Sequence, residues 1–268
     1  MRKFILLVVS AFLLFAAMNV SAASAASGSE WLNQAGLAEG IVSVKYAVKA
    51  KVKTKLMIAK GSEKYTYNLT AGKKEEFFPL QLGNGEYTVS LLEHVSGTKY
   101  KVVKKETVKL NMKENQKVFL NSVQNIAWTS SGVAAVKAKE LTKGLKTDTE
   151  KIKAIHDYII TNIKYDDQLA AKVPDDYLPN IDNTLKTKKA ICYGYASLFA
   201  AMLRSINIPT KLVMGESAYV EVYHAWNEVW LNGKWITVDT TVDAGLKKSK
   251  KKVELIKDSA KYTPNRQY

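Results

Sequence analysis

The chain of 268 residues holds a single cysteine, Cys192, in the stretch AICYGYASLFAAMLRSINIP that runs from Ala190 to Pro209. After it, Ala196, Phe199 or Ala200, and Leu203 recur at helical spacing, and Asn207-Ile208-Pro209 closes the segment. Asparagine tolerates the left-handed conformation that ends helices, and proline cannot continue one. The spacing therefore predicts that Cys192 sits in or just before the first helical turn, where unpaired N–H groups and the positive end of the helix dipole favour an anion. A free thiol, with a pKa of about 8.5, is only a few per cent thiolate at neutral pH, and a helix N-terminus with a neighbouring imidazolium lowers that value. The same N–H groups suit a developing oxyanion. Cysteine is equally a common core residue, so position alone does not make Cys192 a nucleophile.

Partners for it come from YVEVYHAWNEVWLNGKWITVDTTVD, residues 219–243, whose Asn232-Gly233 pair marks a two-residue hairpin turn. In that hairpin Leu231 opposes Lys234, Trp230 opposes Trp235 and Trp226 opposes Asp239. His224 shares a face with Trp226 and lies diagonal to Asp239, about 7 to 8 Å away at the backbone, near enough for carboxylate and imidazole to meet. His224 would exchange the thiol proton, and Asp239 would fix its tautomer. Trp230 and Trp235 read as a cross-strand packing pair, Trp226 as a wall beside the histidine, and Glu228 as a residue facing solvent. His156, alone on a helix, reads as structural or solvated.

These residues also resemble a known family. Cys192-Tyr193-Gly194-Tyr195-Ala196, Ile208-Pro209, Val213-Met214-Gly215, His224-Ala225-Trp226-Asn227-Glu228, and Gly233-Lys234-Trp235 leading into Val238-Asp239 look like the transglutaminase-like superfamily across residues 148–243. The resemblance implies a papain-like α+β core in which Cys192, His224 and Asp239 are nucleophile, base and orienting acid. Asn207 stands where glycine is usual before Ile-Pro, and Thr240 replaces a common proline; neither removes a reacting group. A second oxyanion donor is not placed by the sequence.

Upstream the rhythm has period two. Val42, Val44, Tyr46 and Val48; Val52, Leu56 and Ile58; Tyr65, Tyr67 and Leu69; Tyr87, Val89 and Leu91; Tyr100 and Val102; Val108 and Leu110; and Val118 and Leu120 predict about seven short strands in an immunoglobulin-like β-sandwich. The lysines between them read as solubilising and edge-protecting. Residues 127–145 read as a junction, loosest at Thr129-Ser130-Ser131-Gly132. Thr147 and Glu150 form a capping box, and Ile152, Ile155, Ile159 and Ile163 stripe the helix that follows. Residues 165–189 read as a long loop with at most a short helix.

At the start, Arg2 and Lys3 precede an uncharged apolar run from Phe4 to Val20 and small residues suited to cleavage after Ala22, Ala25 or Ala26, the pattern of a secretory signal. The expected organisation is a signal peptide over 1–26, a β-sandwich over 27–126 and a transglutaminase-like domain over 127–268 that ends in a basic tail carrying KKSKKK. The chain has 40 Lys plus Arg against 25 Asp plus Glu, a net charge of +15. Outside a cell such a field favours anionic surfaces such as wall polymers, lipid head groups or acidic polysaccharides over nucleic acid. One cysteine excludes an intramolecular disulfide, and three scattered histidines do not make a zinc site, so no metal and no cofactor are expected. The expected activity is acyl transfer through a cysteine thioester on peptide or glutamine amides, by a secreted protein acting near the cell wall on protein or peptide substrates, with no membrane span left after cleavage. The alternative is a wall-binding module that keeps the fold as a scaffold.

Overall fold

The computed structural model describes residues 29–268. The expected signal peptide lies outside them. An all-β region comes first, with β1 (Leu32–Asn33), β2 (Ile41–Val44), β3 (Thr54–Lys60), β4 (Glu63–Asn68), β5 (Glu76–Pro79), β6 (Gly85–Ser96) and β7 (Lys99–Leu110). They form two antiparallel sheets, ordered β1-β2-β5 and β4-β3-β6-β7. The alternating apolar positions face each other between the sheets, where Val42, Leu56, Ile58, Tyr87, Val89 and Leu91 are fully buried. Burial of side chains of this kind stabilises by about 1.5–3 kcal/mol each.

The strand count matches the expectation, while the membership differs. Tyr100 to Leu110 is one continuous strand, and β1 and β5, too short to show a rhythm, were not foreseen. Val118 and Leu120 lie in a 3-10 turn, Asn115–Leu120, because Val118 and Phe119 fold inward together instead of alternating.

The rest of the chain is α1 (Val133–Leu141), α2 (Asp148–Asn162), β8 (Lys164–Tyr165), α3 (Asp167–Ala170), α4 (Ile181–Thr187), β9 (Lys189–Ala190), α5 (Cys192–Arg204), β10 (Thr210–Ser217), β11 (Val220–Leu231), β12 (Lys234–Val238), α6 (Thr240–Lys248) and β13 (Tyr262–Gln267). The stretch expected as a junction contains α1, and the expected loop before Cys192 contains two short helices, whose N-caps Asp166 and Asn180 accept from Leu169 and Asn183 N–H. The predicted capping box is present: Thr147 Oγ1 accepts from Glu150 N–H, and Glu150 Oε2 accepts from Thr147 N–H at 2.9 Å. Ile152, Ile155 and Ile159 are buried beneath it.

Helix α5 is the axis of this part. It is buried from Gly194 onward and packs on β10 and β11 and on α1, α2, α4 and α6. Asn207 ends the segment with φ of 66°. The guanidinium of Arg204 donates to the carbonyls of Thr210, Asn121 and Tyr268, joining helix, connecting turn and last strand.

A four-stranded antiparallel sheet runs β12-β11-β10-β13 against the helix. The residues after the lysine run are no tail. They fold back across β12 through a bridge from Lys257 to Thr237 and add β13 to the edge of β10. Gly215 makes that edge approachable, since a Cβ there would stand 2.1 Å from the Thr263 carbonyl oxygen. No helix among the described residues is long and apolar enough to cross a membrane.

Candidate active site

Cys192 opens α5, as the spacing requires, and is half-buried. Its N-cap, Ile191, is extended and has no side-chain oxygen to offer, while the first helical bond is Tyr195 N–H to Ile191 O at 3.0 Å. The N–H groups of Cys192, Tyr193 and Gly194 thus have no partner within the helix and lie where a carbonyl oxygen undergoing attack would gather charge. The short parallel pair β8 and β9 sets this entry, with Tyr165 beside Ala190. Gly194 follows because a Cβ there would meet Ala190 Cβ at 2.8 Å.

The Asn232-Gly233 turn has positive φ at both residues, 51° and 78°, and the register is the one predicted, with Leu231 opposite Lys234 and Trp230 opposite Trp235. The two tryptophans pack edge to face at 5.1 Å. Past the last ladder pair, Asn227 with Val238, the chain leaves β12 and Asp239 becomes the N-cap of α6. Its Oδ1 accepts from Thr241 N–H at 3.1 Å and Val242 N–H at 3.0 Å, and its Oδ2 meets His224 Nε2 at 2.8 Å. A carboxylate at a helix start is held by these amides and by the dipole.

Imidazole and carboxylate are both buried, at 3% and 0% exposure. Burial alone pulls the His224 pKa down, but the hydrogen bonds to Asp239 and to the Cys192 thiol, with the charges behind them, outweigh it and hold the value at about 9. Since Asp239 takes Nε2, Nδ1 is the ring nitrogen left for the thiol. The three residues singled out in the sequence therefore converge. His156 does not join them: it is buried 87 positions from its partner Asp243, which its Nε2 meets at 2.8 Å, and Asp243 also binds Lys257. That structural reading of His156 agrees with the packing. Trp226 lies behind the histidine instead of walling an open cleft, fully buried and roughly parallel to its ring at 6.3 Å. Glu228 pairs with Lys211 at 2.7 Å and does not face solvent freely.

Tyr262 was missed. From β13 its hydroxyl donates to Asp239 Oδ2 at 3.0 Å, and its ring lies 5.0 Å from that of Trp226. Burial and then the Asp239 charge push the phenol well above its ordinary range, so it stays a donor. Tyr165 and Tyr177 stand close enough to Cys192 for a charge on the sulfur to raise both phenols further, after burial has done most of it. Among the described residues no cluster of His, Cys, Asp and Glu has the geometry to hold a metal ion.

A helix-borne thiol faced by a strand-borne histidine and a cap aspartate, on an α+β core, defines the class of papain-like thiol folds. Within that class residues 136–240 match the family model described as the Transglutaminase-like superfamily. It is 35% identical over 117 residues to the human protein called kyphoscoliosis peptidase, covering 40% of this chain and 18% of that protein. The mouse counterpart is 34% identical over the same length, and again 18% of it is covered. The chain thus spans less than a fifth of the length of these curated relatives. The periplasmic domain of TgpA from Pseudomonas aeruginosa superposes with a TM-score of 0.41 and 13% identity, over 83% of this chain and 96% of that one.

Proposed function

We propose that this protein is a thiol enzyme that transfers acyl groups from peptide or glutamine amides through a thioester on Cys192. The observation that carries this is the buried His224–Asp239 pair set against a cysteine at an uncapped helix start. The sulfur attacks the amide carbonyl, forming the C–S bond; the oxyanion is held by the free N–H groups of the first turn of α5. As the C–N bond breaks, His224 gives its proton to the departing amine or ammonia. Water or a second amine then attacks the thioester, yielding acid or a new amide and returning the thiol. Asp239 keeps the ring oriented and its charged form stable, and Tyr262, which touches no reacting atom, positions Asp239.

The apolar run Phe4 to Val20 behind Arg2 and Lys3 supports secretion, and the excess of 40 Lys plus Arg over 25 Asp plus Glu, to which the signal contributes only Arg2 and Lys3, supports action at an anionic wall. On this reading residues 27–126 are an immunoglobulin-like module carrying a catalytic domain at 127–268. The test incubates the protein and a Cys192→Ala variant with glutamine-containing peptides and a labelled amine, followed by mass spectrometry. Deamidation, cleavage or amine incorporation that depends on Cys192 is expected. Identical product masses with and without the sulfur would refute the assignment.

A further inference from the structure

A small pocket of about 170 Å³ lies between the all-β region and the start of α5. Its walls include Tyr177, Tyr193, Tyr67 and Asn125, and its rim carries Asp175 and Asp176. Tyr193 follows the cysteine directly, and the ring of Tyr177 lies 6.0 Å from that of Tyr193. The pocket therefore reaches the residue next to the thiol in the first turn of α5.

Three features of it favour the same guest. Asn125 is 6% exposed and gives its Nδ2 to the Tyr193 hydroxyl at 2.7 Å, which leaves its Oδ1 buried without a donor. A buried acceptor left unmet costs about 1–3 kcal/mol, so a ligand that brings an N–H recovers it. Asp175 and Asp176 are exposed, and neither forms a salt bridge among the described residues. Tyrosine faces attract cations, more strongly where water is excluded. The surrounding sequence agrees: between residues 165 and 182 stand Asp166, Asp167, Asp175, Asp176 and Asp182 against Lys172 alone, an acidic island in a chain of net charge +15.

We propose that this pocket is a subsite for the ammonium of a lysine side chain carried by the substrate polypeptide, near the amide that Cys192 attacks. The placement near an attacked amide rests on the function proposed above; the pocket's preference for an ammonium does not. A pocket of about 170 Å³ has room for a butylammonium chain. The subsite selects substrate and does not supply the attacking amine. Carboxylates and a carbonyl hold the amine protonated, and a protonated amine has no lone pair with which to open a thioester.

The test uses the full chain with Cys192→Ala, so that binding is read without turnover. Glutamine peptides carrying lysine on either side of the glutamine are titrated against the same peptides with norleucine, by isothermal calorimetry. Binding of one lysine peptide at least tenfold tighter than its norleucine twin is expected, with that advantage lost in Asp175→Asn/Asp176→Asn. Both aspartates are exposed, so the double variant folds as its parent does, which circular dichroism checks. Equal affinity for lysine and norleucine peptides, no binding of either, or an advantage that survives the double variant would each overturn the subsite. Lysine-selective binding by a protein that turns over no amide would refute the enzymatic reading and leave the subsite standing.

Discussion

His224 Nε2 and Asp239 Oδ2 lie 2.8 Å apart, both buried, in a chain where fifteen positions and a tight turn separate them. The carboxylate is fixed before the imidazole meets it, by two amides of α6 and the Tyr262 hydroxyl. The ring therefore has one orientation, with its other nitrogen toward Cys192.

That pairing sets a pH dependence. The folded His224 value of about 9 lies above the ordinary 6.5, so the folded protein holds this proton more tightly than the unfolded chain. The stabilisation is complete below pH 6.5 and is lost as pH rises through 9. Denaturant midpoints of the native protein and His224→Gln should differ most at pH 6 and converge by pH 9.5. Thioester formation should fall on its alkaline side near pH 9, and Asp239→Asn, which removes the largest raising influence, should move that limb toward acid.

Tyr262→Phe removes one donor from Asp239 and nothing else. A hydrogen bond to a charged group contributes about 1.5–3 kcal/mol, so a lowered melting temperature and a fall of roughly tenfold or more in acylation rate are expected. A merely structural effect would leave the pH profile in place. Loss of positioning should shift it, and stopped-flow acylation across pH reads the difference.

Gly215→Ala drives a methyl group into the Thr263 carbonyl. Overpacking of this kind costs typically 1–3 kcal/mol, and the backbone must move to accept it. The strand that gives way is β13, which carries Tyr262. Both the urea midpoint and the acylation rate should drop. Gly245→Ala, with open space around it, should change neither rate nor fold.

Lys257 reaches the buried Asp243, which also meets His156, one helical turn beyond Asp239 on α6. Lys257→Met leaves that carboxylate without its cation, an arrangement that costs about 3–5 kcal/mol. Lys252→Met breaks an exposed pair with Glu254 and should cost less than about 1 kcal/mol. Chemical denaturation of the two variants side by side tests the contrast.

Much of the site was legible because its parts are set by short-range rules. The left-handed Asn207 and Pro209 fix one end of α5, and helical periodicity then counts back to Cys192. The Asn232-Gly233 turn fixes the register of β11 on β12, and arithmetic carries His224 to the level of Asp239. Tyr262 obeys no such rule. It stands 23 positions beyond Asp239, past six residues of which five are lysine, in a strand interrupted by Pro264. Only Gly215, whose missing side chain admits β13, hinted that another backbone comes close.

The sequence alone determined that a thiol opens a helix and that an imidazole and a carboxylate share one face of a hairpin, since turn chemistry and periodicity act within a few residues. Only the tertiary structure decided that the hairpin meets that helix, that the last strand returns to hold the aspartate, and that tyrosines from both regions line a pocket at the start of α5. Those contacts arise from packing between segments far apart in the chain, where burial of apolar surface specifies that faces meet and only complementary shape specifies which.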